Sequence, residues 1–132
     1  MKRFIFKQQP RGYNMKITIK QGDFGYNIFQ EWIRKSDNFK GRTLIASGFR
    51  DSQKAIDYAR LYFYDEESLK GQYAFDEDTK AKLSGIRAIV LENYCTWLGF
   101  IENVVASIGG LNNLLDMIKQ NKPTQHIVNC YI

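Results

Sequence analysis

The sequence predicts an α+β domain. An antiparallel sheet would come from the first fifty residues, two or three helices from the remainder would cover one of its faces, and the C-terminus could supply a closing strand. Three observations carry this. "MKITIKQ" (15–21) alternates apolar Met15, Ile17 and Ile19 with polar Lys16, Thr18 and Lys20, the period of a strand with one apolar and one basic face. After "RTLIASGF" (42–49), Asp51 or Ser52 offers a short oxygen-bearing side chain suited to capping a helix. From Leu83 to Ile108, apolar residues recur in steps of three and four, which is a buried helical stripe.

Taken in order, "KRFIFKQ" (2–8) reads as a strand, and the Pro and Gly of "QPRGYN" reverse the chain into "MKITIKQ" as a hairpin. Met15 can equally begin the functional domain, which would make residues 1–14 a dispensable extension. "YNIFQEWIRK" (26–35) fits a helical face with Tyr26, Phe29, Trp32 and Ile33. Its aromatic and β-branched content, and the turn-like "SDNFKG" after it, favour a strand pairing with 42–49. A helix over 52–64 would bury Ala55, Ile56, Ala59, Tyr62 and Phe63, and Asp51 would sit at the positive end of its dipole.

A polar, acidic connection follows, and Asp78 or Thr79 can cap a second helix. Unbroken from 79 to 108, that helix would be about 45 Å long at 1.5 Å per residue. Such a length is large for one domain, so a break near Gly85 or Gly99 is expected. Gly109-Gly110 ends the stripe, a shorter helix spans 111–120, and "QHIVNCYI" reads as the closing strand.

At 132 residues, 44% apolar, the chain is expected to form one domain. The N-terminus lacks the sustained apolar run of a secretory signal, and Arg87, Glu92 and Glu102 interrupt the most apolar region, which argues against a membrane span. Two cysteines are too few for a disulfide framework, so a reduced, cytoplasmic protein is expected.

The net charge of +5 is unevenly held. Residues 1–50 carry eleven Lys and Arg against three acids, whereas residues 51–132 carry eight against eleven. Such asymmetry points to an anionic partner for the basic half. Nine aromatics interleave with those cations, a composition that can stack bases and neutralise phosphates. The expected contact residues for nucleic acid or a nucleotide are Trp32, Arg34, Lys35, Lys40, Arg42 and Arg50.

Two other readings compete. The acids Asp65, Glu66, Glu67, Asp76, Glu77 and Asp78 would suit an anti-defence type of inhibitor, of phage- or plasmid-like character, docking on a nucleic-acid-processing complex. Asp78-Thr79-Lys80 has the acid-x-Lys spacing of Mg²⁺-dependent nucleases, but it opens an expected helix, where acids ordinarily cap.

Catalysis otherwise has little to draw on. His126 is the single histidine, and Cys130, placed on the same face of the expected strand, makes a pair without an orienting group. One His and two distant Cys do not supply a zinc set, and no Walker or dinucleotide glycine pattern occurs. A non-enzymatic binding protein without a cofactor is the expectation.

Overall fold

Three ten-residue strands lead the described chain: β1 (Tyr13–Gly22), β2 (Gly25–Arg34) and β3 (Lys40–Phe49). They form one antiparallel sheet in the order β1-β2-β3, in a computed structural model that describes residues 13–66 and 73–132. The α+β class is therefore correct, and the segment read over 26–35 is strand through Arg34 rather than helix. The expected strand at 2–8 lies outside the described residues. Tyr13 and Asn14, expected in the reversal, already belong to β1.

Turn chemistry fixes the register. β1 and β2 join through Asp23-Phe24, and Gly25 follows at a φ of +126°, which side-chain-bearing residues rarely adopt. A Cβ at Gly25 would stand 2.6 Å from the Phe49 carbonyl oxygen on β3. Between β2 and β3, the Asp37 carboxylate accepts the Phe39 N–H at 3.1 Å and the Arg34 guanidinium at 3.1 Å. Asn38 takes the left-handed φ of 57°, which asparagine tolerates. The "SDN" cluster is thus the turn that its composition suggests.

The helix α1 (Ser52–Tyr62) is capped as expected, with the Asp51 carboxylate accepting the Gln53 N–H at 2.7 Å. It packs on the sheet, where Tyr58 meets Phe49 edge-on with ring centroids 5.2 Å apart. Ile28, in the middle of β2, is fully buried.

The chain divides into two compact units, Met1–Ala74 and Phe75–Ile132. The second is helical: α2 (Glu77–Glu92), α3 (Trp97–Ala106), α4 (Gly110–Lys119) and α5 (Thr124–Asn129). Its core gathers Leu83, Ile86, Val90, Phe100, Ile101, Val104, Leu111, Leu114, Ile127 and Val128. Phe100 stacks on Trp97 at 5.2 Å and meets Tyr131 edge-on at 5.6 Å. No helix of the described residues is long and apolar enough to cross a membrane.

Four details differ from the sequence reading. The second helix is capped by Asp76, not Asp78 or Thr79; its carboxylate accepts the Thr79 N–H at 2.7 Å. The long stripe breaks at 93–96, near Gly99 but not at it. Tyr94 takes φ 59°, its N–H bonds the Leu91 carbonyl, and the Cys95 N–H reaches back to Val90. This is the Schellman arrangement, with a tyrosine where glycine is usual. Thr96 then recaps the chain through the Gly99 N–H. Tyr94, inside the break, and Ile108, past the end of α3, were both expected inside and are 99% and 94% exposed.

Finally, the expected closing strand is the helix α5. Pro123, with φ −56°, starts it, and the buried positions Ile127, Val128 and Tyr131 follow three- and four-residue steps rather than alternation. β-branched content alone had suggested the strand.

Two substitutions should move stability in opposite directions. Tyr94→Gly is expected to gain about 0.5–1 kcal/mol, because a left-handed non-glycine residue costs about 1–2 kcal/mol and the more flexible unfolded glycine returns part of it. Gly25→Ala should lose about 1–3 kcal/mol through backbone strain and the approach to Phe49. Thermal denaturation reads both, and a lower melting temperature for Tyr94→Gly would contradict the assigned helix end.

Candidate nucleic-acid interface

Residues directly opposed in an antiparallel ladder share a face of the sheet. From the register, Met15, Ile17 and Ile19 on β1 join Tyr26, Ile28, Gln30 and Trp32 on β2 and Gly41, Thr43, Ala46 and Phe49 on β3. This is the helix side. Ile17, Ile19 and Tyr26 line a cavity of about 660 Å³ together with Ile56 and Ala59 of α1.

Among the described residues of this unit, no helix packs on the other face. It carries Lys16, Thr18 and Lys20 from β1, Asn27, Phe29, Glu31 and Ile33 from β2, and Lys40, Arg42 and Leu44 from β3. Lys16, Lys20, Lys40 and Arg42 are exposed, and so is Leu44. The four cations surround one acid. Lys16, Glu31 and Arg42 form a single row across the three strands, with Glu31 at its centre.

That acid is held in place. The Thr18 hydroxyl donates to Glu31 Oε1 at 2.5 Å, and Lys20 Nζ lies 4.0 Å from Oε2. The Thr18 hydrogen bond, aided by Lys20, Lys16 and Arg42 and opposed by partial desolvation, holds the Glu31 carboxyl below the usual carboxylate range. In the next row, the Arg42 guanidinium lies over the Phe29 ring, 4.2 Å from its centroid.

The sequence-expected contact residues do not share one surface. Lys40 and Arg42 are on the open face. Trp32 and Arg34 alternate to the other side; Trp32 is half-buried, and a Cβ at Gly41 would stand 3.5 Å from its ring. Arg34 is occupied by the turn, bonding Asp37 and lying 4.9 Å from the centroid of the Phe39 ring. Lys35 is exposed in the β2–β3 turn, and Arg50 is exposed just beyond β3. Lys16 and Lys20, outside that set, share the face of Lys40 and Arg42, as the alternation of "MKITIKQ" already implied for a basic face.

Of the acids, Asp65 and Glu66 are half-buried beyond α1, and Glu67 lies outside the described residues. Asp76 is a cap, and the Thr79 backbone N–H holds its carboxyl below the usual range. Glu77 pairs with Lys80 at 3.5 Å, and Asp78 is exposed in the first turn of α2. Asp78 and Lys80 therefore stand at a helix start, not on neighbouring strands. Among the described residues, no group of three His, Cys, Asp or Glu side chains is arranged to hold a metal ion. His126 and Cys130 lie one helical turn apart on and just after α5, and the thiol donates to the His126 backbone carbonyl at 3.3 Å rather than to the ring.

Comparison with protein-family models, with curated proteins and with solved structures finds no match for this chain.

Proposed function

We propose that this protein binds nucleic acid through the open face of its sheet, with Lys16, Lys20, Lys40 and Arg42 as the phosphate-neutralising residues. One observation carries the reading: the strand register puts these four cations together on the face that α1 leaves free. Lys35 and Arg50, both exposed, extend the positive charge past the ends of β2 and β3. Charge of one sign spread over a surface of this size attracts a polyanion from a distance and holds it by releasing condensed counterions. Of the acids expected to serve a protein partner, Asp76 caps α2 and Glu77 pairs with Lys80.

Salt dependence tests this directly. Four phosphate contacts give a slope of log K against log salt of about −3.6 on duplex DNA. Ala in place of Lys16, Lys20, Lys40 or Arg42 should each reduce the slope by about 0.9 and weaken all sequences alike. Lys122→Ala, in the helical unit, should leave it unchanged. Trp32→Ala is expected to lower the melting temperature first, because Trp32 is half-buried on the helix side of the sheet. No retention of DNA or RNA at low salt, by a protein that melts cooperatively, would dismiss the reading.

A further inference from the structure

Glu31 is out of place on a surface that only neutralises phosphates. It sits on the central strand, in the middle of the Lys16–Glu31–Arg42 row, and it is ionised and aimed by Thr18 and Lys20. A phosphate brought to that point would be repelled, whereas one brought to either flank would meet a cation. The face is thus positive at its margins and an acceptor at its centre.

Duplex DNA has the complementary layout. Strands in a sheet lie about 4.8 Å apart, so Lys16 and Arg42 on the outer strands flank Glu31 at about that spacing on either side. The major groove is about 12 Å wide, and its walls are phosphates. Its floor carries exocyclic amino groups, N4 of cytosine and N6 of adenine, which donate to an acceptor-only carboxylate. The minor groove, about 6 Å wide, offers only the N2 amino group of guanine. A-form RNA buries its major-groove edges in a deep, narrow cleft that side chains do not read.

A single strand suits the face less well. Stacking needs free aromatic faces. Phe29 is the one aromatic residue on the open side of the paired strands, and the Arg42 guanidinium covers it at 4.2 Å.

We infer that the open sheet face enters the major groove of duplex DNA, and that Glu31 selects the base there by accepting a hydrogen bond from the amino group of cytosine or adenine. Thr18 is a positioning residue, since its hydroxyl fixes the carboxylate oxygen that does not reach the base. The inference rests on the proposed nucleic-acid binding and adds to it both the form of nucleic acid and the residue that confers preference.

The test is selection of the full-length protein against a pool of randomised 20-base-pair duplexes at about 0.1 M salt, followed by sequencing of the retained DNA. Salt titration on one fixed duplex is run in parallel. The wild type should enrich cytosine or adenine at one position by about tenfold or more. Glu31→Gln, whose amide both donates and accepts, should flatten or change the preference at that position alone. Its salt slope should match the wild type, and its affinity for the fixed duplex should stay equal or rise. Thr18→Val should weaken the same preference while keeping the carboxylate. Melting temperatures near that of the wild type establish that both variants are folded.

Three results overturn the inference while leaving nucleic-acid binding intact. These are duplex binding with the expected slope but no base preference, an unchanged preference in Glu31→Gln, and single-stranded DNA competing as well as duplex. Absence of binding to any nucleic acid at low salt overturns the proposed function itself.

Discussion

Side-chain alternation along three paired strands is the constraint on which the rest of the first unit depends. A strand places neighbouring residues on opposite faces, so once Ile28 is buried beneath α1, every other side chain on β2 is assigned to a side. Pairing then passes that assignment to β1 and β3. Ile17, Ile19, Tyr26 and Phe49 go towards the helix, and Lys16, Lys20 and Arg42 go away from it. A slip of one residue would exchange the two sets, burying several lysines. The turns that prevent the slip are therefore as important to the basic face as the lysines. Gly25 with its positive φ and the Asp37-centred turn set where each strand begins.

This constraint explains how much of the site was legible in the sequence. The strands, the "SDN" turn and the Asp51 cap were readable, since each depends on a few neighbouring residues. The basic half was also visible. What failed was the grouping of Trp32, Arg34, Lys35, Lys40 and Arg42 as one patch because they are close in sequence. Closeness along a strand separates side chains, and Trp32 and Arg34 fall on the face opposite Lys40 and Arg42. The correct partners of Arg42 are Glu31 and Lys16, eleven and twenty-six residues away. Only a register, which a single sequence does not print, brings them together.

In the helical unit the unreadable features have a different origin. The helix over 111–120 ends as expected at Asn121, left-handed with φ 55°, whereas α2 ends at a left-handed Tyr94, φ 59°, rather than at a glycine. Gly85, with open space around it, is carried inside α2 at the cost of some helix propensity. The end of α2 follows from packing. Val90 is the last buried residue of that helix and Trp97 the first of the next; an unbroken helix would keep both on one face, so what the turn supplies is the change of direction that brings α3 back against α2. Tertiary burial here outweighs a local penalty of about 1–2 kcal/mol at Tyr94. In α5, Ile127 and Val128 are β-branched yet helical, and Tyr131, just past the helix end, is buried with them.

Charge follows the division into units. Fourteen Lys and Arg oppose eight acids through residue 74, and five oppose six from residue 75 onward. The second unit is close to neutral, and several of its acids are spent on capping and pairing. Of the first unit's cations, Lys16, Lys20, Lys40 and Arg42 lie on paired strands, whereas Lys35 and Arg50 lie in connections. A lysine on a paired strand has its backbone fixed before any ligand arrives, so only side-chain freedom remains to be lost on contact. The opposite holds for Lys35 in the turn, which adds charge but less geometry. Affinity can be supplied by either kind of residue. A preference among bases needs an acceptor fixed by neighbours, and on this face Glu31, held by Thr18 and Lys20 between two flanking strands, meets that condition.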